Sequence, residues 1–434
     1  MDTSIEQLRK EFLYEKTNSC VQCGYCLPVC PTYATMKVET HSPRGRINLV
    51  KMVGEGRITD LSVLEEPLDL CLGCRACETA CPTGVEYGAI LEAARSALVR
   101  RKKFSAPVRL LRKTMFKKVF PSRRLMTLAG HALWLYEKSG LQKAARTSGI
   151  MGKLPYHLGN FEAVTPSAPS PAERRRTPAR VSAKGEKKYT VAFFTGCIMD
   201  AMFQRINHLS ILLLAEAGCE VIVIPNQTCC GALHAHAGEM EEAKSLARQN
   251  IAAFEQEHAD FIVNNAGGCG AMLHEYGHLL AGEGEWEARA HAFAAKSRDI
   301  SQVLAACGGL PRLQPRTGER VTYQRSCHMT NVQRVVHEPL ELLMSVPGIQ
   351  FIEMKEANMC CGSAGIYNLV HYDASMEILD EKMKHAKETN ASIIVTTNPG
   401  CLLQMKLGIE RANLSASVRA LHLVEYIAEA AGIS

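Results

Sequence analysis

CVQCGYCLPVCP, residues 20–31, and CLGCRACETACP, residues 71–82, are two copies of one pattern, Cys-x2-Cys-x2-Cys-x3-Cys-Pro. A second pattern also occurs twice: Cys197, Cys229-Cys230-Gly231 and Cys269, then Cys327, Cys360-Cys361-Gly362 and Cys401. Together they take sixteen of the eighteen cysteines and leave Cys219 and Cys307. The opening MDTSIEQLRKEFLYEK alternates charges without an apolar run, so no signal peptide is expected. In reducing cytosol, dense cysteine spacing argues for metal rather than disulfides. A soft thiolate array of this size and order means iron–sulfur chemistry, and with it electron transfer.

The first pattern is the bacterial ferredoxin run, in which three cysteines hold one cubane and the fourth crosses to the other. It assigns Cys20, Cys23, Cys26 and Cys81 to one [4Fe–4S] cluster, and Cys71, Cys74, Cys77 and Cys30 to a second. Two-residue gaps let successive thiolates wrap one face of a cluster, and Pro31 or Pro82 then turns the chain away. Zinc needs four ligands and has no use for a proline-terminated set of four, twice over. Forty residues separate Cys30 from Cys71, more than in small ferredoxins, so a helical ferredoxin domain is expected over residues 1–99.

The second half repeats itself. Tyr189–Cys197 and Arg320–Cys327 are short β runs ending at a cysteine. Each is followed by a helical stretch, a second strand from Gly218 or Gly348, Cys-Cys-Gly, a long polar helix, a third strand from Phe261 or Ile393, and the last cysteine. The gaps match: 31 and 32 residues from the lone Cys to the pair, then 38 and 39 to the final one. Strands alternating with helices indicate parallel sheets, and cysteines past the strand ends sit where such sheets build sites. The fold class expected is therefore α plus α/β: the helical two-cluster domain, then a duplicated α/β domain (189–310 and 311–434) about a pseudo-two-fold axis.

This Cys-Cys-Gly element resembles the CCG domain of the heterodisulfide reductases and their relatives, where a Cys-x-x-Cys often closes a five-thiolate, non-cubane site. Here Met272 and Gln404 take the missing positions, which removes support for disulfide catalysis. Each lobe keeps four thiolates, enough for one [4Fe–4S] cluster or for zinc: Cys197, Cys229, Cys230 and Cys269 in the first, and Cys327, Cys360, Cys361 and Cys401 in the second. Gly231 and Gly362 permit the sharp turn that aims two adjacent thiols at one centre. In the repeat, Cys219 and Cys307 fall opposite apolar residues and read as core thiols. His234, His236 and His328 lie beside these sites and read as supporting residues rather than ligands.

Between the halves, residues 100–124 carry eleven Lys/Arg and no acid, residues 173–188 carry seven against two, and the rest is near −10 of a total of +6. Charge this local, without interleaved aromatics, excludes a general nucleic-acid-binding role. Residues 100–162 read as basic amphipathic helices broken at Pro121, suited either to an anionic membrane interface or to packing on a partner or the sheet. Residues 163–188, rich in Pro, Ser, Ala and Arg, read as a flexible, exposed linker. No stretch is long and apolar enough to span a membrane; Ile211–Ile224 reads as helix, turn and buried strand. No nucleotide-binding, P-loop, G-x-S-x-G or zincin motif is present.

The runs at 23–34 and 71–85, the segment SPRGRINL at 42–49 and the two CCG lobes make the chain similar to the iron–sulfur subunits of bacterial glycolate oxidases. That resemblance implies an electron-transfer subunit in a complex with FAD-containing subunits that oxidise glycolate or a related 2-hydroxy acid. Electrons would pass on to a membrane quinone or another acceptor, with the protein cytoplasmic or peripheral on the inner face of the membrane. Arg44 and Arg46 would supply local positive charge, pair with a partner, or serve structure. The alternatives are the iron–sulfur subunit of anaerobic glycerol-3-phosphate dehydrogenase, a catalytic CCG-type disulfide or quinone reductase, and a scaffold with zinc in the lobes.

Overall fold

The computed structural model describes residues 3–174 and 178–433. Its N-terminal part is helical, with the longer helices at Thr3–Glu11, Pro43–Gly54 and Tyr87–Arg101. Ser42 caps the second, its hydroxyl accepting from the Gly45 N–H, and Pro43 occupies the first turn, where its missing N–H costs nothing. Phe12, Ile47, Val50, Leu68, Ile90 and Ala94 form the core that holds these helices against the cysteine runs.

Nine strands follow among the described residues. The first lobe contains β1 (Arg180–Val181), β2 (Tyr189–Phe193), β3 (Cys219–Val223), β4 (Phe261–Asn264) and β5 (Ser297–Asp299), in the order β1-β3-β2-β4-β5. The second contains β6 (Arg320–Gln324), β7 (Gln350–Phe351), β8 (Ile393–Thr396) and β9 (Arg419–His422), in the order β7-β6-β8-β9. Apart from β1, which pairs antiparallel to β3, every pairing is parallel, and the two orders are the same. The duplication read from cysteine spacing is thus a duplication of topology. One core runs through both lobes, joining Val191 and Phe193 to Val321, Tyr323 and Ile393.

β5 and β9 are additions to the strands that the sequence announces. β5 is only three residues, Ser-Arg-Asp, and carries no apolar alternation to reveal it. The flexible-linker expectation for 163–188 needs correction. Ala168 is buried and its N–H donates to the Glu137 carboxylate at 3.0 Å. Arg174 donates to the Asp200 carbonyl at 2.6 Å, and β1 adds an edge strand to the first sheet. Long-range hydrogen bonds override a composition that by itself suggests a free segment; residues 175–177 lie outside the described residues. The basic helical segment also packs on the lobes. Arg112 reaches Glu239 at 2.7 Å, the Phe116 carbonyl meets His234 at 2.8 Å, and His157 stacks on Tyr372 with ring centroids 3.8 Å apart.

Candidate iron–sulfur sites

Cys20, Cys23, Cys26 and Cys81 line one cavity, which Cys77 also borders. Cys30, Cys71, Cys74 and Cys77 line another. The fourth cysteine of each run lies at the other run's cavity: Cys30, just before helix Pro31–Met36, lines the second, and Cys81 lines the first. The two environments differ sharply. Around the first, Cys23 is exposed, as are Val21 and Tyr25. Arg44 sits at its rim, bonded to Glu39 at 2.7 Å and to the Gln22 carbonyl at 3.2 Å.

Around the second, Cys30, Cys71 and Cys77 are buried. Tyr87 donates its hydroxyl to Cys71 Sγ at 3.3 Å, the Gly73 N–H does so at 3.4 Å, and Thr32 Oγ1 lies 3.2 Å from Cys30 Sγ. Arg46, 1% exposed, donates to the Pro67 carbonyl at 2.6 Å and to Thr32 at 3.1 Å. Burial acts to raise the Cys71 thiol, but the Arg46 and Arg95 guanidiniums and the hydrogen bonds outweigh it, so its pKa falls below the ordinary value. At Cys74 and Cys77 burial dominates and, with the neighbouring cysteines, pushes both well up; at Cys74 a backbone hydrogen bond from Ala76 opposes it without outweighing it.

In the lobes, every cysteine of the second pattern lies past the C-terminal end of a parallel strand, the usual site position in open α/β sheets. Gly231 and Gly362 follow the pairs with φ of 93° and 89°, left-handed values that make the turn. Cys197 Sγ lies 3.4 Å from Cys229 Sγ, and the Cys230 thiol is in hydrogen-bond contact with those of Cys229 and Cys269. In the second lobe Cys327 Sγ lies 4.0 Å from Cys360 Sγ, and the Cys361 thiol is in hydrogen-bond contact with those of Cys360 and Cys401. Each lobe therefore gathers its four thiols. Among the described residues, no three His, Cys, Asp or Glu side chains converge tightly enough for a single metal ion. Met272 is core, and the buried Gln404 is taken up by Asn368 at 3.1 Å and Ser375 at 2.9 Å.

Cys219 and Cys307 are buried in the first lobe's core with their sulfurs 3.5 Å apart, a pairing that one repeat compared with the other cannot reveal. The histidines mark the junction between domains. His328 Nε2 meets the Gly73 carbonyl at 3.0 Å, and its ring centroid is 5.2 Å from that of His236, which pairs with Glu92 at 3.6 Å. Beside them Asn331 donates to the Cys74 carbonyl at 2.9 Å, and Arg75 bridges Glu78 and Glu275. Cys74 shares one apolar cluster with Leu72, Cys327, Cys360, Tyr367 and Ile378. The second cavity of the N-terminal domain and two thiols of the second lobe, Cys327 and Cys360, therefore face a common wall.

A helical domain with two tetracysteine cavities, joined to paired CCG lobes, defines an iron–sulfur electron-transfer protein. Residues 16–85 match the 4Fe-4S dicluster domain, and 191–274 and 321–406 match the cysteine-rich domain. Residues 107–165 match the linker region of the glycolate oxidase iron-sulfur subunit. The chain is 49% identical over 437 residues to a probable glycolate oxidase iron-sulfur subunit of Bacillus subtilis (strain 168), covering 99% of this chain and 98% of the relative. It is 29% identical over 386 residues to the glycolate oxidase iron-sulfur subunit of Escherichia coli (strain K12), 88% of each. It is 34% identical over 237 residues to lactate utilization protein A of Geobacillus kaustophilus, 55% of this chain and 98% of the relative. The chain belongs to the glycolate oxidase iron–sulfur subunit family, and it is an electron-transfer subunit. No helix among the described residues is long and apolar enough to cross a membrane.

Proposed function

We propose that this subunit takes electrons from an FAD-bearing partner that oxidises glycolate or a related 2-hydroxy acid to the 2-oxo acid. Cys20, Cys23, Cys26 and Cys81 would hold one [4Fe–4S] cluster; Cys71, Cys74, Cys77 and Cys30 would hold the second. The two CCG sets would hold one further [4Fe–4S] cluster each. Bound there, the clusters supply one-electron carriers whose potentials follow charge, hydrogen bonding and burial. Domain limits of 1–99, 100–162, 189–310 and 311–434 belong to the same reading.

The observation that carries it is the wall shared by Cys74, Cys327 and Cys360. It supports an order in which the solvent-facing first site meets the partner, the buried second site receives from it, and the second lobe follows. Arg46 and Tyr87 hold the second site in a fixed polar frame, and the apolar wall keeps water from between it and the lobe. We assign the protein to the cytoplasmic face of the membrane, touching lipid through the basic helix Ala106–Thr114. That helix turns Arg112 inward to Glu239 and leaves Val108, Leu110 and Leu111 exposed. A quinone would then be within reach as acceptor.

Anaerobic purification with native partners, followed by flavin, iron and zinc counts and a screen of 2-hydroxy acids, tests the reading. About sixteen irons per chain and cluster bleaching on adding glycolate are expected, four irons to each cubane. Zinc in the lobes, or clusters that stay oxidised with every acid, would overturn it.

A further inference from the structure

The two CCG sites are built alike but are not surrounded alike. Ala243 packs over Gly231, and Ser375 packs over Gly362, which sets helices Met240–Phe254 and Tyr372–Glu388 in register. Seven residues further on, the first lobe has Asn250 and the second has Lys382, both wholly buried. Asn250 is neutral and spends its side chain on the Thr228 N–H, the Cys229 carbonyl and Tyr276. Lys382 donates to the Glu356 and Ala357 carbonyls at 2.6 and 3.0 Å; burial lowers its pKa to about 8, and the Cys361, Cys360 and Cys401 thiols act against burial to keep its charge.

A second asymmetry lies three residues before each final cysteine. The first lobe has Ala266, and the second has Asn398. Asn398 Nδ2 donates to Cys401 Sγ at 3.6 Å, while its Oδ1 accepts from the Gly268 N–H of the first lobe at 3.0 Å. Gly268 is joined directly to Cys269. One side chain thus hydrogen-bonds a thiol of the second site and the backbone beside a thiol of the first. On the first site's side lie His234, which burial disfavours as a cation and whose Nε2 is engaged by the Phe116 carbonyl, and the uncharged Tyr276, whose hydroxyl donates to the Cys230 carbonyl at 2.9 Å.

We propose that Lys382 and Asn398 are positioning residues that make the second CCG site the more easily reduced of the two. This rests on the reading that both lobes hold [4Fe–4S] clusters. Reduction adds negative charge to a centre already carrying four thiolates. A buried cation and an N–H donor to sulfur stabilise that added charge, and charge counts for more where water is excluded. Electrons arriving across the Cys74 wall therefore collect in the second lobe, and the first lobe fills after it.

The test is a redox titration of the anaerobically purified complex followed by electron paramagnetic resonance. Cys401→Ser and Cys269→Ser identify the signal of each site. In the wild type the second site's signal should develop first. Lys382→Met should shift its reduction equilibrium about tenfold towards the oxidised form, equivalent to about 59 mV for one electron. Asn398→Ala should shift it in the same direction by less, with the remaining signals in place; this variant decides the matter if Lys382→Met does not fold. A first site reduced before the second, or a second-site midpoint unmoved in the variants that fold, overturns the proposal while leaving the relay intact. Iron counts that leave a lobe empty overturn the underlying reading instead.

Discussion

Among the described residues the largest fully buried side chain is a charged one, Arg46. Arginine is seldom buried without partners, and here they are two oxygen acceptors plus the thiols Cys30 and Cys71. Both thiols hold the pKa of its guanidinium up against the opposing pull of burial. The segment PRGR stands out in the sequence, yet nothing there tells the rim residue Arg44 from the buried Arg46. Their fates depend on contacts with Pro67 and Thr32, far away along the chain. Arg46→Met keeps the bulk and removes the charge. It should cost about 1–3 kcal/mol for the stranded Pro67 carbonyl and move the buried N-terminal cluster to a lower potential. Urea unfolding and a redox titration together check this; unchanged values in both would show Arg46 to be filler.

At the scale of elements, the unannounced fourth strands end in matching devices. β5 runs into a helix capped by Asp299, and β9 into one capped by His422, both with a reciprocal bond from the third helical residue. Burial raises the Asp299 carboxyl to about 6 against the bonds from Ser301. Burial lowers His422 to about 4, and its Nδ1 must stay unprotonated to accept from the Val424 N–H at 3.2 Å. The signs oppose. Native Asp299 binds its proton more tightly than the unfolded chain does, so its contribution to stability falls as pH rises from about 4 to 6. His422 binds more weakly, so its contribution is full above about 6.5 and is lost as pH falls towards 4. Asp299→Asn should therefore steepen the loss of stability between about pH 7 and 5, and His422→Asn should flatten or reverse it. Each effect is bounded by about 1.4 kcal/mol per pH unit. Urea midpoints at the two pH values decide it; parallel curves would rule the caps out as titrating elements.

The Cys-Cys-Gly turns separate what spacing can tell from what it cannot. Both glycines are left-handed, so alanine at either should cost about 1–2 kcal/mol. Gly362 has a further constraint: a Cβ there would lie 2.7 Å from the Ser375 carbonyl oxygen, whereas at Gly231 the nearest atom is 3.4 Å away in Ala243. Gly362→Ala should accordingly destabilise more than Gly231→Ala and, with the proposed clusters in both lobes, deplete iron from the second lobe first, as iron analysis and unfolding curves will report. The repeat makes the two glycines look interchangeable. Only the packed helix behind each one distinguishes them.

Across the whole molecule, the cysteine runs, the helical first domain, the duplicated sheets and the gathering of thiols within each lobe were legible, because ligand spacing and strand periodicity are local signals. The mounting of one part on another was not, because it depends on polar side chains with no pattern of their own. Asn331 is the clearest case. It donates to the Cys74 carbonyl at 2.9 Å, and its Oδ1 accepts from Thr79 at 3.1 Å, while Arg334 bonds the same Thr79 at 2.9 Å. Those bonds clamp the second cysteine run against the helix Cys327–Asn331, which carries the first thiol of the second lobe. Neither Asn331 nor Thr79 belongs to the proposed ligand sets, so removing them should leave iron content intact while loosening the gap that electrons cross in the proposed relay. Where the relay runs as proposed, Asn331→Ala should preserve the iron count and substrate-driven reduction of the N-terminal clusters, yet slow the reduction of the proposed second-lobe cluster in rapid-mixing experiments. Unchanged second-lobe kinetics would mean that the shared wall is held by its apolar residues alone.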